Sequence, residues 1–159
     1  MIRFETTTRI AAPPERVFDL SLDVGLHTAS MARSGERIVG GVTEGRMALG
    51  DTVTWRARHF GVPWRMTSRI SAWERPSHFV DEQVAGPFAR WVHTHDFAAD
   101  GTGRGGTVMR DTVVFAAPFG PLGRLAEAAF LGRYMRRLIR QRNAHLRTAA
   151  ETGGGDRAA

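Results

Sequence analysis

The segment RWVHTHDF, residues 90–97, decides how this chain is read. Successive side chains of a strand point to opposite faces, so Trp91, His93, His95 and Phe97 share one side and Arg90, Val92, Thr94 and Asp96 the other. The side carrying the large aromatic anchors turns inward, and two histidines go with it. The same reading of TVMRDTVVF, residues 107–115, points Met109, Asp111, Val113 and Phe115 inward. That of TVTWRARHF, residues 52–60, points Val53, Trp55, Ala57 and His59 inward and leaves Arg56, Arg58 and Arg110 in water. In FVDEQV, residues 79–84, Asp81 and Gln83 can join this face, although alternation alone leaves the orientation of that strand open.

Period-two patterning runs from Glu36 for about 80 residues. Turn signals interrupt it at Gly40-Gly41, Gly50-Asp51, Gly61-Val62-Pro63, Arg75-Pro76-Ser77, Gly86-Pro87 and residues 100–106, which predicts about six consecutive antiparallel strands. Upstream, IRFETTTRI (2–10) alternates as a further strand, and Ala12-Pro13-Pro14 stops it. Prolines suit a helix's first turn, so a short helix is expected over 14–22, followed by a second that Asp23 caps and that runs to Met31, carrying His27 and Ser30. Downstream, Pro121 to Ala150 reads as one long helix starting at Gly120-Pro121. Its apolar side comprises Leu125, Ala129, Leu131, Tyr134, Met135, Leu138, Ile139 and Leu146, and Arg133, Arg136, Arg137, Arg140 and Arg147 fill the remainder. These elements bury both apolar surfaces if a curved antiparallel sheet of about seven strands wraps around the last helix. The expected class is therefore α+β, with a cavity in the grip, a single domain over 1–150 and a disordered Gly-rich tail over 151–159.

Composition excludes several functions. The chain has 159 residues, enough for one compact domain, and no cysteine, which removes disulfides, thiolate metal sites and cysteine nucleophiles. Apolar runs such as 113–119 fall far short of the roughly 20 residues of a membrane span, and MIRFETTTRI lacks a signal-peptide core, so a soluble cytoplasmic protein is expected. Net charge is +6, and all 22 basic residues are arginine. Arginine favours phosphate-like partners, but a GC-rich genome produces the same bias. GTGRGG, residues 101–106, matches a dinucleotide fingerprint formally; lying between two antiparallel strands with no helix after it, it reads as a hairpin tip. Phosphate-loop, zinc-protease and serine-hydrolase motifs are absent from the sequence.

The element order, with APPERVFDL (12–20) opening the first helix and an amphipathic helix at the end, resembles the START-like or SRPBCC superfamily, also called Bet v 1-like or helix-grip. Locally, HTASM (27–31), LGDTVTW (49–55), DEQVAGPFARWVHTHDF (81–97) and MRDTVVFAAPFGPLG (109–123) are similar to a bacterial ligand-binding subfamily of it. The resemblance implies binding of a hydrophobic or amphipathic molecule such as a lipid, quinone or polyketide. A minority of that superfamily are cyclases or oxygenase subunits, so fold analogy does not choose a reaction.

The residues themselves suggest an apolar cavity with a polar minority. The expected lining is Trp55, His59, Trp91, His93, His95, Met109, Asp111 and Phe115 from the sheet, with Tyr134 and Leu138 from the helix. Replacing Asp111 is expected to weaken ligand binding and spare the fold. Three chemistries compete for the histidines. They can orient a ligand's polar group. They can serve as an acid-base pair with Asp111 in a cyclase or dehydratase, or hold a metal with Asp111 or Asp81 as third ligand. The first is preferred, and no metal or cofactor is expected. His27 can reach the cavity mouth, Phe88 can cover it, and Trp64 and Trp73 can extend an aromatic wall or simply fill the core. The helix arginines, offset only by Glu127 and Glu151, are either a solvated face or a peripheral contact for anionic membrane. Nucleic acid is not an expected partner, because the aromatic residues point inward instead of alternating with arginines on a surface. A protein-binding module using the outer face of the sheet is a third possibility.

Overall fold

Strand alternation of this length resolves into seven strands: β1 (Ile2–Ile10), β2 (Arg37–Gly41), β3 (Thr52–His59), β4 (Val62–Glu74), β5 (His78–Ala85), β6 (Arg90–Ala99) and β7 (Thr107–Ala116). The computed structural model describes residues 1–118, 120, 121, 123 and 130–153. The strands form one antiparallel sheet in the order β1-β7-β6-β5-β4-β3-β2, a meander closed at one edge by the first strand. Helices α1 (Pro14–Ser21) and α2 (Val24–Ser30) and a 3-10 turn at Ala32–Ser34 follow β1, and α3 (Gly132–Thr152) lies across the sheet. The α+β helix-grip arrangement expected from the sequence is the one adopted.

Local chemistry explains the element ends. Pro13 and Pro14 occupy the cap and first position of α1, where no intrahelical N–H is needed. Asp23 caps α2 by accepting from the Leu26 amide at 2.8 Å. The hairpin between β3 and β4 is tighter than Gly61-Val62-Pro63 suggested. Val62 and Pro63 already belong to β4, and the two-residue turn is Phe60-Gly61, with φ of 54° and 76°, as a primed turn requires. Gly41, at φ 76°, closes β2 where an added Cβ would collide with the Thr52 carbonyl. The last helix runs two residues beyond Ala150, because Glu151 accepts from the Ala11 amide at 2.9 Å and from Arg147 at 3.0 Å. Residues 119, 122 and 124–129, including the expected stripe members Leu125 and Ala129 and the acidic Glu127, lie outside the described residues, as do 154–159 of the expected tail.

Two apolar clusters fill the space between sheet and helices. One centres on Phe18 and joins Val17, Val24, Val53, Phe97, Met109 and Leu146; the other centres on Phe115 and joins Phe4, Trp91, Val113, Met135 and Ile139. Between them runs a polar belt. Along β1 the sequence passes from Phe4 through Thr6 and Thr8 to Ile10, and along β6 from Trp91 through His93 and His95 to Phe97. Along β7 it passes from Phe115 and Val113 through Asp111 to Met109, and along α3 from Ile139 through Arg142 and Asn143 to Leu146. Four elements thus interrupt their buried stripes at one level.

Candidate functional site

Strand register assembles the belt. Asp111 stands directly across from Thr6 on β1 and from His95 on β6, and Asp81 on β5 stands across from His93. Asp111 is completely buried: Oδ1 accepts from His93 Nε2 at 2.8 Å, and Oδ2 accepts from Asn143 Nδ2 at 2.7 Å. His95 Nδ1 lies 3.0 Å from Asp111 Oδ1 without aligned hydrogen-bond geometry, and its Nε2 donates to Asp81 Oδ2 at 2.9 Å. His93 Nδ1 is 3.7 Å from the same Asp81 oxygen, and the two imidazole rings are 3.8 Å apart. Arg142, itself buried, reaches the Ser21 carbonyl at 3.2 Å and Asn143 Oδ1 at 3.3 Å, and comes within 3.8 Å of Asp111.

The electrostatics follow from burial opposed by partners. Burial pushes the Asp111 carboxyl up, but the His93 hydrogen bond and the close approach of the His95 ring outweigh it and hold the group well below the usual carboxylate range. Asp81 is also lowered: burial again opposes, and the His95 hydrogen bond together with His93, His95 and Arg142 prevails. His93 moves down because burial and the neighbouring His95 disfavour its cation more than the two aspartates favour it. Both aspartates are therefore ionised and His93 neutral at neutral pH.

Beside the belt is a cavity of about 160 Å³. Its apolar wall includes Trp55, Trp64, Phe88, Trp91, Met135 and Leu138; Asp81, His93 and Arg142 supply polar groups from the belt; and His27, Glu36 and His59 supply others. His27 stacks on Trp55 with centroids 4.4 Å apart and points Nε2 at Glu36 Oε1, 2.9 Å away. His59 Nδ1 pairs with the Tyr134 hydroxyl at 2.8 Å. Burial lowers the His59 pKa against the pull of Glu36, and raises that of Tyr134 against Arg137.

Of the ten residues expected from sequence, Trp55, His59, Trp91, His93 and Leu138 stand on this wall; His95, Met109, Asp111, Phe115 and Tyr134 do not. The reason is how the helix sits. α3 makes its main sheet contact with β1, and its Met135, Ile139 and Asn143 pack with or bond Val113, Phe115 and Asp111 of β7, while the cavity is lined from β3 to β6. Met109 and Phe115 are fully buried packing residues, His95 and Asp111 lie behind the wall holding His93, and Tyr134 buttresses His59. Phe88 and His27 do reach the cavity, as does Trp64, whereas Trp73 is exposed and packs edge-on against Phe18. Gln83 instead locks its own hairpin, bonding both the N–H and the C=O of Phe88. Sequence reasoning missed Arg142, Asn143 and Glu36. Arg142 continues the buried spacing of Met135, Ile139 and Leu146, and an arginine on an apolar stripe is the signal that would have found it.

Asp81, His93 and His95 form the one group among the described residues able to offer a metal three ligand atoms, all within 4.8 Å of one another. Chemically, the arrangement can orient a polar ligand group, move a proton at His93, or hold a cation.

A seven-stranded antiparallel sheet gripping a long terminal helix, with a mostly apolar cavity between them, defines a Bet v 1-like helix-grip protein. The model of the family described as "polyketide cyclase / dehydrase and lipid transport" matches residues 1–151, and the chain belongs to that family. Among solved structures it is similar to TTHA0849 from Thermus thermophilus, with TM-score 0.77, 18% identity and coverage of 97% of this chain and 100% of that one. A START superfamily protein from Mycobacterium smegmatis gives TM-score 0.67 at 11% identity, covering 92% and 98%. The ginseng major latex-like protein 151 from Panax ginseng gives 0.58 at 14%, covering 91% and 96%. At these identities the likeness is one of fold. No curated protein matches the sequence. Among the described residues no helix is long and apolar enough to cross a membrane.

Proposed function

We propose that the chain binds one small hydrophobic or amphipathic molecule in the cavity between sheet and α3, for carriage or sensing. The observation that carries this reading is an aromatic-walled cavity whose lining includes the Asp81, His93 and Arg142 side chains, so that an apolar body can be buried and a polar group oriented. Size narrows the occupant. A cavity of about 160 Å³ is of the class, about 150 Å³, that accepts a benzene-sized molecule, and it falls below the roughly 300–1,000 Å³ of drug-sized sites. A single ring or short chain with one polar group fits as the cavity stands; a whole lipid, quinone or polyketide requires α3 to move outward. Trp55, Trp64 and Trp91 make the test direct. Titration with alkylphenols and medium-chain carboxylates should quench tryptophan fluorescence saturably, and Ala57→Leu, which fills the cavity, should abolish the response. Quenching that is identical in Ala57→Leu would exclude this cavity as the site.

A cyclase- or dehydratase-like enzyme is the second reading, and the Asp111–His93 contact favours it. A buried carboxylate fixes one ring nitrogen while the ring reaches the cavity, which suits acid-base work by His93. His95 fits that role less well, having both nitrogens against carboxylates and no place on the wall. Under this reading His93→Gln removes turnover and leaves ligand affinity within a few-fold. The exposed Arg136, Arg137 and Arg140 on α3 would suit peripheral contact with anionic lipid, to be tested by sedimentation with phosphatidylserine vesicles.

A further inference from the structure

We propose that Asp81 Oδ2, His93 Nδ1 and His95 Nε2 bind one divalent first-row transition-metal ion, with Asp111 as the carboxylate behind both imidazoles. The spacing suits it. Bonds of about 2.0–2.2 Å at tetrahedral to right angles place ligand atoms about 3–3.5 Å apart. His95 Nε2 and His93 Nδ1 stand 2.9 and 3.7 Å from Asp81 Oδ2, with the whole set inside 4.8 Å.

The surroundings are those of a metal site. Metal-bound histidines nearly always turn their other ring nitrogen to a carboxylate or carbonyl, which fixes tautomer and orientation. Asp111 does so for His93, whose Nε2 lies 2.8 Å from Oδ1, and Asn143 anchors the other carboxylate oxygen. His95 Nδ1 is 3.0 Å from the same Oδ1, so an ion taking the place of the proton on His95 Nε2 would leave the Nδ1 N–H facing that carboxylate. Two carboxylates, Asp81 and Asp111, flank the two rings, and a cation between Asp81 and the rings supplies positive charge where these groups converge. Asp81 and His93 lie on the cavity wall, giving the ion an entry path and a further position open to the cavity. Two imidazoles and one carboxylate suit zinc, cobalt, nickel or iron better than magnesium or calcium. The proposal is independent of any organic ligand, since the protein alone provides three donors.

The competing arrangement is the direct His95 Nε2–Asp81 hydrogen bond, with no ion between the two groups. To separate the two, untagged full-length protein is stripped with chelator and titrated with Co2+, then Zn2+. One Co2+ per chain, with visible ligand-field bands that Zn2+ abolishes, is expected. Asp81→Asn and Asp111→Asn should each weaken the affinity about 10-fold or more, while His145→Ala, on the exposed face of α3, changes nothing. Because Asp111 is buried and its variant can fail to fold, Asp81→Asn, checked by circular dichroism, carries the decision. Absence of a one-to-one cobalt complex in the wild type, or equal affinity in folded Asp81→Asn, would overturn the proposal and leave the direct His95–Asp81 hydrogen bond in place.

Discussion

Asp111→Ala removes the residue on which the belt converges. Its carboxylate has no exposed surface, accepts from His93 and Asn143 at 2.8 and 2.7 Å, and faces His95 at 3.0 Å and Arg142 at 3.8 Å. Deleting it strands two buried donors and leaves the Arg142 guanidinium with no carboxylate within 4 Å among the described residues. Breaking a buried ionic contact from one side costs about 3–5 kcal/mol, against a total stability of about 5–15 kcal/mol for a domain. At about 2–4 °C per kcal/mol for a chain of this size, the melting temperature should fall by roughly 6–20 °C. Urea denaturation followed by circular dichroism measures the difference, with Asp96→Ala as a control. Asp96 also pairs with a histidine, His78 at 2.7 Å, but its side chain is 49% exposed, so its loss should cost about 0–1 kcal/mol. A loss below 1 kcal/mol for Asp111→Ala would refute the account of the belt. The sequence alone led to the expectation that this substitution would spare the fold; the burial and partners of Asp111 instead predict a loss of stability.

Three further outcomes follow from the same geometry. The pKa of His93, depressed below 6.5, stabilises the fold fully above that pH and loses its contribution as pH falls, and His59 acts alike; Asp81 and Asp111, depressed below 3.8, lose theirs at still lower pH. Thermal scans should therefore hold steady above about pH 7 and decline below it in two stages, and a flat profile between pH 7 and 5 would contradict the His93 assignment. Phe18→Ala, at a ring with no exposed surface that meets Trp73, Phe79 and Phe97 edge-on, should cost about 3–5 kcal/mol by denaturant titration. Gly41→Ala must fit a Cβ against the Thr52 carbonyl at positive φ, and should lower the denaturation midpoint, whereas Gly45→Ala, in open space, carries only the backbone strain.

Much of the fold was legible because burial here follows simple periods. Alternation placed Trp91, His93, His95 and Phe97 on the inner face, and Asp23 announced its helix. Alternation gives a face, however, and not what lies over it. Met109, Asp111 and Phe115 point inward as expected, yet Met109 packs in the Phe18 cluster, Phe115 against Met135 and Ile139, and Asp111 on Asn143, so they are core or support instead of wall. The facing of Asp81 stayed open in the sequence because the β4–β5 pairing shifts register twice, between Thr67 and Ser68 and between Ile70 and Ala72. Arg142 was lost among the arginines of α3, although its spacing from Met135 and Ile139 sets it apart from Arg136, Arg137 and Arg140.

Occupancy of the cavity is tested most directly by native mass spectrometry of wild-type protein and Ala57→Leu, each produced in the native host and then extracted under denaturing conditions. One small amphipathic molecule per wild-type chain, absent from the cavity-filled variant, is the predicted result. Both proteins at their own unliganded masses, or the same molecule retained by both, would contradict the claim that this cavity is the binding site.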